Sequence, residues 1–269
     1  MKVSVVILTR NSEKTIRKCL ESLLNQSFKP HEIIVVDHSD DRTPEIAKQM
    51  GAKVIRVSRK GRGYARNIGI REAVGDIIVF IDSDCIAHPL WLENLIKEFE
   101  KNTAIAGVSG NVYVANSEKL IAALIDKITR NKPHYATWNI AYRKKVLLEV
   151  GGFNEELDTC EDLELAWRIL EKGYSIVFEP KAIVYHYHRE KLLDFLKQQY
   201  KYGLGVAKAR KIHHKSNIKS LLIIPCLPIV FLKHITKVRD HVLLPFLLTL
   251  SAFAYSLGVL SSLILSKVK

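Results

Sequence analysis

Residues Asp76 to Asp84 read DIIVFIDSD. Five apolar residues, Ile77 to Ile81, run straight into Asp82, Ser83 and Asp84, so a buried strand delivers two carboxylates where it emerges. Two acids two residues apart repel each other unless a cation shares them, and hard divalent ions prefer such oxygens. A solvated turn with an Asp helix cap is the plainer alternative, and the flanking sequence has to decide between the two.

Upstream the same kind of strand recurs. Val3 to Thr9 is followed by Asn11 and Ser12, which can cap a helix over Glu13 to Asn25. His31 to Asp37 is a second strand, Thr43 to Met50 a short helix, and Lys53 to Val57 a third strand. Continuous apolar strands alternating with helices predict an α/β fold, a mostly parallel sheet covered on both faces. Ligands bind beyond the carboxyl ends of such strands, where Thr9, Asp37 and Asp82 fall. Between the third and fourth strands, KGRGYARNIG (Lys60 to Gly69) sets glycines, Arg62 and Arg66 around a helix start, a combination suited to phosphate oxygens. No GxGxxG follows the first strand, which disfavours a nicotinamide enzyme.

Downstream, Pro89 opens a helix to Lys101, Ile105 to Ala115 reads as a strand, Glu118 to Thr129 as a helix, and Tyr135 to Tyr142 alternates as a strand. In NEELDTCEDLELAWRILEKG, Asp158, Glu161, Asp162 and Glu164 crowd the entrance to a helix whose apolar face is expected at Leu163, Ala166, Trp167 and Leu170. The helix dipole favours acids in a first turn, yet four acids in seven residues exceed what capping needs. One that faces a cleft can serve as a general base. Ser175 to Phe178 and Ala182 to His188 read as two short strands, with His186 and His188 on one face of the second. Glu190 to Lys211 reads as a long basic amphipathic helix.

The 269 residues carry a formal charge of +13, and its location matters more than its size. Lys208, Arg210, Lys211, His213, His214, Lys215 and Lys219 precede an apolar tail, and Lys233, Lys237 and Arg239 sit inside it. Cations beside an apolar anchor read as contacts to acidic headgroups and mark the cytoplasmic side of a cell membrane. Nucleic acid is not expected, because no aromatic residues interleave with the basic ones to stack bases. Of the two apolar runs, Ser220 to Leu232 contains Pro225 and Pro228 and reads as re-entrant or interfacial. Val242 to Leu265, 24 residues without a charge, is long enough to cross a hydrocarbon core of about 30 Å as a helix. A buried helical hairpin is the soluble alternative. The start, MKVSVVILTRN, is too soon polar for a secretory signal. Cys19, Cys85, Cys160 and Cys226 lack zinc spacing and read as reduced cytosolic thiols.

Taken in order, SVVILTRN, VVDHSDD, GRGYARNIG, the DSD of Asp82 to Asp84, WNIAYRKKVLLEVGGFNE, CEDLELAWRI and YHYHRE followed by FLKQQYKYG resemble a family 2 glycosyltransferase of the GT-A fold over residues 1 to 211. The resemblance implies a catalytic domain at 1–211, followed at 212–269 by a basic linker and membrane-associated helices. It implies that Thr9, Asn11 and Asp37 hold the base and ribose of a nucleotide diphosphate sugar, and that Arg66, with glycines including Gly63, holds the diphosphate. Asp82 and Asp84 match the DxD pair, the second as direct ligand of Mg²⁺ or Mn²⁺ and the first turned more to ribose or a metal water. His186 matches a late metal ligand, with His188 as rival. Asp162 matches the base, and Glu161 beside it shapes the acceptor site. Trp138, Asn139 and Arg143 lie where sugar or acceptor is expected.

Two departures stand out. His38 replaces an acid in DHSDD, and Gln198, Gln199 and Tyr200 lack the tryptophan of processive members, so a single transfer is expected. The implied activity is an inverting, metal-dependent transfer of one hexose to a lipid-linked acceptor, a polyprenyl phosphate or a lipid-linked glycan, or to another glycan, at the cytoplasmic membrane face. A catalytically idle nucleotide-sugar-binding membrane scaffold is a competing reading. A sugar nucleotidyltransferase is another, although TRNS (Thr9 to Ser12) lacks its glycine-rich basic signature.

Overall fold

A computed structural model describes residues 1–58, 61–213 and 238–265. Lys60, the run Ser220 to Leu232, Cys226, and the basic residues His214, Lys215, Lys219, Lys233 and Lys237 lie outside the described residues. The strands are β1 (Val3–Thr9), β2 (Glu32–Asp37), β3 (Lys53–Arg56), β4 (Ile77–Asp82), β5 (Cys85–Ala87), β6 (Ile105–Val114), β7 (Asn139–Arg143) and β8 (Ser175–His186). The helices are α1 (Ile16–Leu24), α2 (Thr43–Gln49), α3 (Arg62–Glu72), α4 (Trp91–Lys101), α5 (Leu120–Thr129), α6 (Lys144–Glu149), α7 (Glu161–Glu171), α8 (Leu192–Ile212) and α9 (Val238–Leu265).

All eight strands form one sheet in the order β3-β2-β1-β4-β7-β6-β8-β5. The half from β3 to β4 is parallel, as the buried apolar runs predict. Beyond it β7 runs antiparallel to both β4 and β6, while β8 is parallel to β6 and antiparallel to β5. Only Ser83 and Asp84 separate β4 from β5, yet β5 is the outermost strand beyond β8. The sheet therefore curls back on itself, bringing its last strand to the carboxyl end of β4. Register then places Leu8 beside Asp82, Thr9 beside Asp37, and Cys85 beside His186.

Side chains alternate across each strand. Val5 and Ile7 of β1 pack with Ile16 and Leu20 of α1 and with Trp91, Leu95 and Phe99 of α4 on one face. Val6 packs with Ile70 of α3 and with Leu165 and Ile169 of α7 on the other. The α7 face is thus centred on Leu165, Ala166 and Ile169, one position away from the expected one, and Leu170 is exposed. The two short strands expected over 175–188 are one strand, β8, whose pairing skips residues 180–182 and which ends at His186. Pro180 has no N–H to give a ladder, so the skip falls where the chain cannot pair.

The described chain divides into two compact units. The first holds the sheet and comprises Met1–Asn116, Thr129–Glu156 and Glu161–Tyr187. The second comprises Ser117–Ile128, Leu157–Cys160 and the chain from His188. In the second, Leu124 and Ile125 of α5, Phe195 of α8, and Leu244 and Leu247 of α9 form a small apolar core.

Helix α3 lies close on β1 because Gly69 has no side chain: a Cβ there would come within 2.5 Å of Val6 Cγ1. Gly69→Ala should lower unfolding stability by about 1–3 kcal/mol through overpacking, seen as a lower denaturant midpoint at unchanged slope.

Candidate active site

The carboxyl ends of β1, β2 and β4 gather three groups of polar residues. In the first, Asp37 is fully buried and accepts from Thr9 Oγ1 at 2.5 Å, Ser39 Oγ at 2.6 Å and the Arg56 guanidinium at 2.5 Å. Asn11, in the left-handed region at φ 54°, accepts from the Asp40 N–H at 2.9 Å and donates its own N–H to Ser39 Oγ at 2.8 Å. Thr9, Asn11 and Asp37 therefore share one network. The neighbouring His38 Nδ1 is 2.8 Å from the Val57 carbonyl.

The second group surrounds the turn after β4. Asp84 Oδ1 lies 3.3 Å from His186 Nε2, with the Asp84 side chain 41% exposed and His186 nearly buried. Asp82 has lost most of its hydration, and that loss, followed by repulsion from Asp84, pushes its pKa up; Arg66, His186 and Arg62 pull it back. Asp84, Cys85 and His186 place one ligand atom each within 4.8 Å of one another. Cys85 belongs to the apolar core and burial pushes its thiol pKa well up, so the oxygens and the imidazole are the donors that suit Mg²⁺ or Mn²⁺. The Asp84 carboxylate and the His186 imidazole fit a divalent cation, whereas Asp82, which feels the Asp84 charge, is outside that group. His188, the rival, is buried in the second unit and is not part of this group. Trp138 borders it, its ring 5.1 Å from that of His186. On its other side Trp138 Nε1 donates to His134 Nε2 at 3.3 Å, and burial lowers the His134 pKa to about 4.

The third group is centred on Arg66 of α3. Its buried guanidinium is ion-paired with Glu161, donates to Thr137 Oγ1 at 2.5 Å and lies 5.4 Å from the Phe153 ring centroid. Asp162, next in α7, has its pKa raised to about 6 by desolvation and by the Glu161 charge, against the pull of Arg66 and Arg62. The Tyr142 hydroxyl, buried and feeling the Asp162 charge, makes no hydrogen bond. Asn67, one residue after Arg66, grips the turn before the acidic helix, exchanging bonds with the Phe153 backbone at 2.8 and 2.9 Å and donating to Glu155.

Two expectations are corrected. Asn139 does not face a sugar: it is fully buried, accepts from Trp91 Nε1 at 2.7 Å and donates to the Asn111 and Ala182 carbonyls at 2.8 and 2.9 Å. It thereby satisfies a carbonyl within the unpaired stretch of β8. Arg143 sits at the opposite end of β7, beside Ile77, and donates to the carbonyls of Ile105, Phe99 and Asn102. The bare Cα of Gly63 admits the chain's own backbone, since a Cβ would come within 2.7 Å of the Asn154 carbonyl.

Thr137 and Tyr142 were not among the expected site residues. Tyr142 lies in the alternating run Tyr135 to Tyr142, where a tyrosine among buried positions was the available signal.

A model of glycosyl transferase family 2 matches residues 4–153. The chain belongs to glycosyl transferase family 2. It is 31% identical over 241 residues to a pre-mycofactocin glycosyltransferase of Mycobacterium tuberculosis, covering 82% of this chain and 50% of that one. It is 32% identical to the glycosyltransferase AglE of Haloferax volcanii (76% and 72% covered), and 27% identical to a glucosyl-dolichyl phosphate glucuronosyltransferase of that organism (69% of each). The chain thus spans half the length of the mycobacterial relative. A mannosyltransferase of Pyrobaculum calidifontis, solved with GDP-Man and Mn²⁺, shares the fold at a TM-score of 0.63 and 19% identity, over 99% of this chain and 75% of that one.

The Arg66–Glu161 pair is buried on both sides, so Glu161→Ala would leave an uncompensated guanidinium. A stability loss of about 3–5 kcal/mol is expected, read as a fall in the denaturant midpoint.

Proposed function

We propose that this chain transfers one hexose from a nucleotide diphosphate sugar to a hydroxyl of a lipid-linked glycan, with inversion at the anomeric carbon. The observation that carries the reading is the presence of two acid sites: Asp82 and Asp84 with His186 where β4 ends, and Asp162 in the first turn of α7 within the field of Arg66. A catalytically idle scaffold would need no base poised near pH 6. In this reading Thr9, Asn11 and Asp37 receive the base and ribose. Asp84 and His186 hold the cation, with Asp82 behind them. That cation, Mg²⁺ or Mn²⁺, supplies Lewis-acid stabilisation of the diphosphate leaving group.

Asp162 accepts the proton of the acceptor hydroxyl as its oxygen attacks from the face opposite the diphosphate. An in-line displacement of this kind inverts the configuration. The Glu161 charge raises the Asp162 pKa and the Arg66 charge lowers it. The catalytic part is residues 1–211, and residues 212–269 are the membrane part, on the cytoplasmic face of the cell membrane. The support for a lipid-linked acceptor is the apolar helix α9, the cations that precede it and the acceptor in the name of the Haloferax relative. Enzyme and acceptor held on one surface meet at a raised effective concentration.

Transfer of labelled sugar from a panel of nucleotide sugars to lipid-linked acceptors tests the reading. Asp162→Asn should cut transfer by about 10²–10⁴-fold while a donor-induced thermal shift persists. Transfer at the parent rate would remove Asp162 as base. Because only the carboxylate form accepts a proton, kcat/KM should fall about tenfold per unit below pH 6 and level off above it. Asp84→Ala, or chelation, should abolish both transfer and the donor-induced shift, and transfer surviving full chelation would defeat the cation assignment.

A further inference from the structure

Strand β5 pairs antiparallel with the end of β8, and in that register Cys85 stands directly opposite His186. Residues directly opposite on antiparallel strands point to the same face of the sheet. The thiol and the imidazole are therefore neighbours, and Asp84, one residue before Cys85, comes within 3.3 Å of the same imidazole. One ligand atom from each of the three lies within 4.8 Å of the other two. Cys85 is buried, while the Asp84 side chain is exposed enough to admit an ion.

Two of these donors suit a hard ion and the third suits a soft one. Mg²⁺ and Mn²⁺ take the oxygen and the imidazole and leave the protonated thiol alone. Zn²⁺ is different, because it binds sulfur as well as nitrogen and oxygen, and its charge drives the proton off a coordinating thiol. Around a tetrahedral Zn²⁺ the ligand atoms stand about 3.3–3.6 Å apart. Asp84 and His186 already have that spacing, and the thiol needs at most about 1 Å of adjustment to complete it. Three protein ligands with a fourth position open is a common zinc arrangement, and at shared donors Zn²⁺ outbinds Mn²⁺. The consequence for a bound diphosphate is electrostatic. An ion held by Asp84 and His186 alone keeps part of its positive charge for the diphosphate, whereas Asp84 and a Cys85 thiolate together cancel it. Four-coordination also leaves one open position, too few to grip two diphosphate oxygens.

We propose that Asp84, Cys85 and His186 form a site for Zn²⁺ that overlaps the Mg²⁺ or Mn²⁺ position, and that zinc held there silences sugar transfer. The inference rests on the cation reading of Asp84 and His186 above and adds the thiol of Cys85 to it.

The test uses the full chain, with Zn²⁺ affinity measured against a chelating dye and Mn²⁺ affinity from the electron paramagnetic resonance of the free ion. Added Zn²⁺ should release bound Mn²⁺ and suppress Mn²⁺-supported transfer. Co²⁺ in place of Zn²⁺ should give a thiolate-to-cobalt charge-transfer band in the near ultraviolet that fades under a large excess of Mn²⁺. Cys85→Ala, its folding checked by circular dichroism, should lose that band and bind Zn²⁺ about 100-fold more weakly or worse, beyond what loss of a residue that merely supports a ligand costs. Its Mn²⁺ affinity should change by less than about threefold, since a thiol is a poor ligand for that ion. Equal Zn²⁺ affinity in the parent and Cys85→Ala, or Zn²⁺ binding that leaves Mn²⁺ in place, would overturn the zinc site and leave the cation reading standing. Should Cys85→Ala not fold, the cobalt spectrum of the parent decides: an absent band, or one that excess Mn²⁺ does not diminish, would overturn the proposal. Failure of the parent to bind either Zn²⁺ or Mn²⁺ would defeat the cation reading itself.

Discussion

The site depends on one buried cation. Arg66 is paired with Glu161, bonded to Thr137 and set against the Phe153 ring, so α3, the segment before β7, the turn before α7 and the first turn of α7 all meet at a single guanidinium. A buried charge is tolerated only with an opposite charge and hydrogen bonds around it, and Arg66 has both. The same guanidinium lowers the pKa of Asp162 and of Asp82 while desolvation raises each. The two carboxylate sites therefore share a counter-ion.

The curl of the sheet explains why distant stretches share one edge. β4 and β5 are consecutive in the chain and far apart in the sheet order, and a two-residue turn joins them. That turn contains Asp84. Because β5 pairs with the end of β8, closing the curl puts His186 beside the acid that the turn presents. Asn139 supports the arrangement from inside, binding the carbonyl of Ala182, in the stretch of β8 that skips its pairing with β6, two residues before β8 begins to pair with β5. A residue that looks like a substrate contact from its place near Trp138 is instead what keeps the histidine strand in position.

Much of this was legible in the sequence where local patterns decide. The apolar runs ending in Thr9, Asp37 and Asp82 read directly as parallel strands, because burial on both faces leaves no alternation to misread. The glycine and arginine loop and the acidic helix start were legible as polar clusters too. What was not legible depends on partners far along the chain. β5 has three residues and exists only because β8 lies alongside it. The skipped residues within β8 were read as a break between strands. Arg66 was read as a ligand for phosphate, and its partner Glu161, 95 residues later, could not be seen from either stretch. The face of α7 was misplaced by one position because Trp167 and Leu170 look like core, whereas Leu165 and Ile169 meet the sheet.

The apolar tail shows the same limit from the other direction. Counting uncharged residues asks whether a helix could sit in hydrocarbon, and for α9 it could. Whether it does so depends on what is fastened to its side. Gly203 and Gly258 bring α8 into close backbone contact with α9, and the solvation of the pair then depends on the lysines of α8 as well as on the leucines of α9. Hydropathy summed along one helix leaves out that partner. Where two helices meet through backbone contact, the unit that partitions between water and lipid is the pair, and charges on one helix count against depths that the other alone would permit.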